Sequence, residues 1–151
     1  MNTNPAETLG NLGKVYRMPE SIAEEPDTVR SAWALGLFSG IVGDDDTEVK
    51  IISVENKEKT YERLEIHDLS PQMYAVLKGT VAIPLALELD HKAVRFYKVS
   101  EGDSIVLQAR VWHGGAVGID VPAEVLVVLK KGTSESDTKK LPVWPPVEFC
   151  L

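Results

Sequence analysis

Two separated segments, 65–79 and 102–113, constrain the fold of this chain more than any other feature. Each lies in an alternating or β-rich stretch, contains a histidine and is punctuated by a glycine at which a strand should turn. Two of the chain's three histidines, His67 and His113, fall in these segments. The arrangement predicts a small β-barrel that brings distant residues into one interior pocket.

From residue 49 onward the pattern is β throughout. The predicted strands are 49–55, 61–67, 72–77, 80–89, 94–99, 104–107, 112–117 and 124–129, and glycine, proline or charged turns separate most of them. No strand alternates with a long helical pattern, so a parallel α/β sheet is not expected. About eight short strands in a chain of this length favour an all-β sandwich or jelly-roll barrel.

The length of 151 residues and a hydrophobic content of 44% fit a single domain, 1–151, with a barrel core at 49–130. Residues 1–30 are expected to form an irregular N-terminal arm before a first strand near 33–38. The three adjacent carboxylates in the turn 43–46 lack the downstream ligand spacing of a calcium loop. The C-terminal tail, 132–151, is expected to leave the barrel as an extended or partly helical segment that packs on a partner subunit.

Charge and targeting features exclude several classes of function. A net charge of −7 and a pI near 5.0 argue against nucleic-acid binding, because a phosphate-binding surface needs clustered basic residues. The pairs 130–131 and 139–140 are the adjacent lysines, and we interpret both as solvated. No secretory signal or apolar stretch of membrane-spanning length is present, so no membrane partner is expected. The lone Cys150 has no intrachain partner, which suits a reducing cytoplasm.

The first segment resembles the first motif of cupin barrels, which is His, one residue, His, three or four residues, Glu, six residues, Gly. Glu65, His67, Gln72 and Gly79 occupy those places with the same gaps. The resemblance implies a cupin double-stranded β-helix, a jelly-roll barrel with an interior site.

The second segment resembles the second cupin motif, which is Gly, five residues, Pro, one residue, Gly, two residues, His. The length from Gly102 to His113 is kept, whereas Gln108 and Arg110 replace the proline and glycine. The motif normally ends in Asn four residues after its histidine, where this chain has Val117.

Within the cupins, residues 51–142 resemble the ureidoglycolate lyase family, formerly called ureidoglycolate hydrolases. The resemblance is carried by 64–67, Gln72 with Tyr74, 78–79, 111–113 and less closely 131–133. It implies cleavage of ureidoglycolate to glyoxylate and urea in allantoin catabolism, a homodimer and a divalent metal such as nickel. The family has polar and aromatic residues before its Trp-His pair where this chain has 107–109, so the substrate is not fixed by the resemblance.

Strand alternation supports an interior site independently. Side chains at alternate positions share a face, so Arg63, Glu65 and His67 point the same way, as do Gln72 and Tyr74. Facing inward, these strands would bring together the candidate metal ligands, which are Glu65, His67, Gln72 and His113. Such nitrogen and oxygen donors suit nickel, manganese, iron or zinc. Gln72 is a weak ligand, because a neutral amide replaces the usual carboxylate, and it orients substrate on the alternative view.

The candidate catalytic residues are Glu65, His67 and His113, of which the carboxylate or a metal-free histidine would act as base. Candidate substrate contacts are Arg63, Gln72, Tyr74, Lys78 and Trp112. Arg63 is either an exposed strand charge or a clamp for a small carboxylic acid. Tyr74 and Trp112 also fit a packed core, Lys78 a solvated turn, and His91 a surface turn. A non-catalytic or differently reacting cupin that binds a small acid or sugar is the alternative function, and a structural dimer with a closed interior is a third.

Overall fold

The computed structural model describes residues 2–16 and 47–151. Within them the strands are β1 (Asn4–Pro5), β2 (Gly13–Tyr16), β3 (Thr47–Val54), β4 (Lys59–Ile66), β5 (Gln72–Lys78), β6 (Thr80–Ala86), β7 (Arg95–Ser100), β8 (Ser104–Leu107), β9 (Trp112–His113), β10 (Val117–Gly118), β11 (Ala123–Lys130) and β12 (Lys139–Phe149). Two 3₁₀ turns, Ala6–Thr8 and Gly10–Leu12, join β1 to β2, and a short helix, α1 (Thr133–Ser136), precedes β12. The predicted all-β class is confirmed.

The strands form two sheets that face each other. The seven-stranded sheet has the order β1-β7-β6-β9-β4-β12, with β10 also paired to β6, and the five-stranded sheet has the order β2-β8-β5-β11-β3. All pairs are antiparallel except β1 with β7. The chain crosses between the sheets at Gly79, whose φ of +80° favours glycine. This is the jelly-roll arrangement.

Two apolar clusters stabilise the sheets. The larger one packs inward-facing side chains of both sheets, among them Val76, Ile83, Ile105 and Val125. The second includes Leu64, Ala82, Val143, Val147 and Phe149, so β12 contributes to it. β6 supplies residues to both clusters and is buried along almost its whole length. Tyr74, Val127 and Leu129 of the larger cluster also line an interior cavity.

The predicted strands of the barrel are present with small differences in extent. β6 ends at Ala86 rather than at residue 89. The predicted strand 112–117 is divided into β9 and β10. The reason lies at Gly114, where a Cβ atom would stand 2.6 Å from the Tyr61 ring, so the backbone passes Tyr61 more closely than a side chain allows.

Both chain ends differ from expectation. In the part of the N-terminal arm described, β1 pairs with β7 and β2 pairs with β8, so these residues extend the two sheets. The tail contains the expected extended and helical pieces, but it does not leave the barrel, because β12 pairs with β4 along most of its length. The predicted strand at 33–38 and the acidic turn at 43–46 lie outside the described residues.

Candidate metal centre

The site forms where three strands meet inside the barrel. β4 pairs with β9 so that Glu65 stands directly opposite His113. His67 directly follows β4 and lies two residues after Glu65, so the alternation of the strand places the two side chains on one face. Gln72 begins β5 in the facing sheet. Ligand atoms of Glu65, His67 and His113 all lie within 4.8 Å of one another, so this group could hold a metal ion.

His113 presents a nitrogen lone pair to a carboxylate. Its side chain is 2% exposed, and Nδ1 lies 3.0 Å from the carbonyl oxygen of Val111, to which it must donate. In a neutral ring Nε2 then carries the lone pair, and it lies 3.2 Å from Oε1 of Glu65. Nε2 has no hydrogen-bond partner among residues 2–16 and 47–151. Two acceptors at that distance require a cation between them, which is either a proton on His113 or a metal ion.

Glu65 is held as an anion. Its interaction with His113 is the main cause that lowers its pKa to about 2, against the opposing effect of burial, and the charges of His113, Lys140 and His67 lower it further. Oε2 lies 3.3 Å from the ammonium of Lys140, which stands opposite Glu65 in the pairing of β4 with β12. A carboxylate with so low a pKa is a good ligand and a poor general base at neutral pH.

His67 is oriented by oxygen atoms from the segment before β12. Nδ1 lies 3.0 Å from the carbonyl oxygen of Asp137 and 3.1 Å from Oγ1 of Thr138. The Thr138 hydroxyl donates to the carbonyl of Thr133 at 2.8 Å, so it accepts from His67. Both partners are therefore acceptors and Nδ1 carries the hydrogen. Nε2 of His67 therefore faces the interior. In many sites, a hydrogen bond to one ring nitrogen fixes the tautomer and leaves the other nitrogen to bind a metal or accept a proton.

Gln72 bridges His67 and Tyr74. Its Oε1 lies 2.8 Å from Nε2 of His67, and its Nε2 lies 2.8 Å from the Tyr74 hydroxyl. This pattern is satisfied when His67 is protonated. When His67 is neutral, the amide turned by 180° donates to His67 and accepts from Tyr74, whose pKa is raised by burial so that it stays a phenol. A glutamine serves both protonation states of His67, which a carboxylate in its place would not.

Two cavities adjoin this group. The inner cavity, of about 240 Å³, is lined by Glu65, His67, Gln72 and Tyr74 and bordered by Lys50, Ser134, Thr138 and Lys140. The outer pocket, of about 450 Å³, is lined by Lys59, Tyr61, Arg63 and His113, together with Gly114. Glu65, Gly115 and Lys140 border both spaces. A ligand at Glu65 can therefore extend either way.

The remaining predicted site residues are placed differently. Arg63 lies on the rim of the outer pocket and donates to the carbonyl of Lys140 at 2.7 Å. Lys78 is exposed at the end of β5 and borders neither cavity. Trp112 is half-buried against the second apolar cluster, on the opposite face of β9 from His113. His91 lies in a surface turn beside Asp90, as predicted.

Three residues of β12 and of the segment just before it contribute to the site without being predicted there from the sequence. These are Asp137, Thr138 and Lys140. The Lys140 side chain is solvated, as predicted, and it also contacts Glu65. Their role depends on β12 pairing with β4, and the register of that pairing shifts between Pro142 and Val147. No motif marks such a pairing in the sequence. The alternation of β4 alone could not show which strand would lie beside it.

The two departures from the second motif have local explanations. The backbone N–H of Gln108 donates to the carbonyl of Leu12 at 3.0 Å, which a proline could not do. Arg110 keeps the glycine-like conformation of the motif, with φ of +66°, and its N–H donates to the carbonyl of His67 at 2.7 Å. The backbone leading to His113 therefore keeps a conformation at residue 110 that favours glycine, although the residue there is arginine.

No protein-family model matches this chain, and no curated protein matches it. Among solved structures it is similar to a dTDP sugar isomerase from Desulfovibrio desulfuricans G20, with a TM-score of 0.55, 18% identity and coverage of 88% of this chain and 85% of that one. A 3,4-ketoisomerase from Helicobacter canadensis has a TM-score of 0.55 and 12% identity, with coverage of 84% and 89%. A 3,4-ketoisomerase from Thermoanaerobacterium thermosaccharolyticum has the same TM-score and 13% identity, with coverage of 84% and 86%.

None of these three structures is a ureidoglycolate lyase, and at these identities the similarity concerns the fold alone. Among the described residues, no helix has the length and apolar character needed to cross a membrane. The two-sheet topology, the inward-facing Glu65, His67 and His113, and the similarity to these barrels agree with one another. The chain has a cupin-type jelly-roll fold with a cavity of about 240 Å³ beside these three residues.

Proposed function

We propose that this chain is a metal-assisted lyase of small hydroxy acids, and that its substrate is ureidoglycolate. The observation that carries the proposal is the buried Nε2 of His113 facing the Glu65 carboxylate at 3.2 Å, an arrangement of two acceptors that a cation completes. The inner cavity, of about 240 Å³, is of a size suited to a small acid. The motif resemblance supports the choice of ureidoglycolate.

Glu65 and His113 would hold the divalent cation, with His67 beside them. Imidazole nitrogen and carboxylate oxygen are ligands that nickel, manganese, iron and zinc accept. When bound, the metal would polarise the substrate oxygens and make the hydroxyl more acidic. Lys140 would keep Glu65 ionised through its 3.3 Å contact with Oε2.

His67 would move the proton. Glu65 is too weak a base, with a pKa of about 2, and Tyr74 stays protonated. His67 Nε2 would take the hydroxyl proton of ureidoglycolate as the substrate displaces the Gln72 amide. The C–O bond becomes the carbonyl of glyoxylate, the C–N bond breaks, and its electron pair goes to nitrogen. His67 would then return the proton to that nitrogen, which releases urea and restores the neutral ring.

The test is to incubate metal-reconstituted protein with ureidoglycolate and follow glyoxylate and urea together. We expect His67→Gln to keep its metal and lose turnover by about 10²-fold or more, because general base catalysis contributes that much. His113→Gln should lose both metal and turnover. His91→Gln, at the surface histidine, is the matched control and should retain both.

Absence of turnover with nickel, manganese, iron and zinc would refute the lyase assignment. Loss of metal from His67→Gln would show instead that His67 is a ligand, as in the four-residue set that includes Gln72, and another group would then have to be the base.

A second candidate is a metal-independent cupin that acts on a nucleotide-linked keto sugar. Two observations favour it. Gln72 occupies His67 Nε2 where cupins usually have a carboxylate ligand, and the outer pocket extends the site by about 450 Å³. The solved ketoisomerase from Thermoanaerobacterium thermosaccharolyticum is in complex with TDP-4-keto-6-deoxyglucose. Titration of metal-free protein with TDP separates the two candidates, since the lyase proposal predicts no binding specific to the nucleotide.

A further inference from the structure

Lys59, the first residue of β4, is a half-buried cation that forms no ion pair with the described residues 2–16 and 47–151. Its ammonium lies 4.9 Å from the centroid of the Tyr61 ring. It also packs against Gly115, where a Cβ atom would stand 3.2 Å from the Lys59 nitrogen. Among residues 2–16 and 47–151, no carboxylate lies within ion-pair distance of this nitrogen.

This position is electrostatically unfavourable as it stands. Burial, and then the nearby charge of Lys57, lower the pKa of Lys59. The Tyr61 ring offers a cation–π contact, which at such a site replaces only part of the lost hydration. A bound anion would raise the pKa of Lys59 again, because an opposite charge favours the charged form of the amine.

The surroundings of Lys59 have the chemistry of an anion site. The outer pocket carries the cations of Lys59, Arg63 and Lys140, which come from two adjacent strands. Two carboxylates also border it. Glu65 is already engaged by His113 and Lys140, and Glu62 is exposed to solvent. The pocket therefore has an excess of positive charge on a chain whose net charge is −7.

We propose that the outer pocket binds an oxyanion, the carboxylate or phosphate group of a ligand whose other end enters the inner cavity past Glu65. Lys59 is its central cation, and Arg63 and Lys140 close over the anion from the rim. The proposal does not depend on the cleavage reaction, because it concerns a pocket outside the proton-transfer group. It adds Lys59 and Lys140 to the residues that determine which ligands the barrel accepts.

The experiment is calorimetric titration of chelator-treated, metal-free protein with two probes, inorganic phosphate and glyoxylate. Lys59→Met removes the charge and keeps the stem over Tyr61. Lys98→Met, at an exposed lysine of β7 that borders neither cavity, is the matched control. We expect at least one probe to bind wild type, with affinity about tenfold or more weaker in Lys59→Met and unchanged in Lys98→Met, since a charge-assisted contact is of that strength.

Phosphate binding alone would identify a phosphate-bearing ligand, and glyoxylate binding alone a carboxylate ligand. A chemical measurement covers the case in which Lys59→Met does not fold. In wild type, the bound probe should slow acetylation of Lys59 by acetic anhydride and leave that of Lys98 unchanged. The proposal is overturned if neither probe binds, if both variants bind as wild type does, or if both lysines are protected equally.

Discussion

At the scale of single residues, the site is governed by the cation that Glu65 and His113 require. The contact with His113 is the largest of the causes that lower the pKa of Glu65 to about 2. Lys140 contributes from the other side of the carboxylate. The contacts of Glu65 with His113 and Lys140 should therefore contribute to the free energy of unfolding of the metal-free protein.

In Glu65→Gln, the free energy of unfolding should depend less steeply on pH below about 4.5 than it does in wild type. The folded pKa of about 2 lies below the ordinary 4.5, so the carboxylate stabilises the fold fully above about pH 4.5 and loses this contribution as the pH falls towards 2. With allowance for partial exposure, the contribution is on the order of 2 kcal/mol. Urea unfolding of metal-free wild type and variant between pH 6 and pH 2.5 measures it. If plots of the free energy of unfolding against pH are parallel for wild type and variant across this range, the assigned pairing of Glu65 with His113 is contradicted.

Arg110→Gly should stabilise the protein. Arg110 is held at φ of +66°, a conformation that disfavours residues with a Cβ atom by about 1 kcal/mol or more. Gln108→Gly is the matched control two residues away, where φ is not positive and glycine only adds freedom to the unfolded chain. We expect the free energy of unfolding to rise by about 1 kcal/mol in the first variant and fall in the second. A decrease in both would show that φ at Arg110 imposes no penalty.

Alternation along β4 accounts for part of the arrangement at this scale. Glu65, His67 and His113 lie together as the spacing predicts, whereas Arg63, expected on the same face, is exposed at the rim of the outer pocket. The partners that fix protonation, Thr138 and Lys140, depend on long-range register. A sequence pattern contains side-chain direction, but it does not contain the identity of the neighbouring strand.

At the scale of elements, β12 connects fold and site. It forms the edge of the seven-stranded sheet, buries Val143, Val147 and Phe149, and carries Lys140 to Glu65. Its prolines and charges suggested a departing tail, because proline is unfavourable within a ladder. The structure accommodates Pro145 and Pro146 where the register shifts, so the strand resumes pairing afterwards. This compensation is a tertiary property that local propensity does not reveal.

Two substitutions of aromatic residues in β12 should have very different effects on the free energy of unfolding. Phe149→Ala should lower the free energy of unfolding by about 3 kcal/mol or more, because a buried ring is replaced by a cavity. Trp144→Ala should change it by less than about 0.5 kcal/mol, since Trp144 is 84% exposed. Denaturant titration of both variants checks this. Equal losses would mean that Trp144 is covered in solution, and a negligible effect of Phe149→Ala would contradict the packing of β12.

At the scale of the whole molecule, the protein is a cupin-type barrel with a polar cavity beside its apolar core. The homodimer stays a prediction, which light scattering of the full chain would measure. Fold class was predictable because eight short strands and two spaced motifs agree on one architecture. Function is less determined, because cupin-type barrels serve unrelated reactions and the chemistry lies in a few side chains.

Divalent metal binding is the property on which the assigned centre of Glu65 and His113 depends. Chelator-treated wild type should bind about one divalent ion per chain when titrated with nickel, manganese or zinc. Affinity should fall about 10²-fold or more in Glu65→Gln and His113→Gln, because each loses a ligand in the centre of the site, and it should be unchanged in His91→Gln. Circular dichroism of each variant establishes that it is folded. Wild type that binds no ion, or His91→Gln that loses binding as His113→Gln does, would contradict the account.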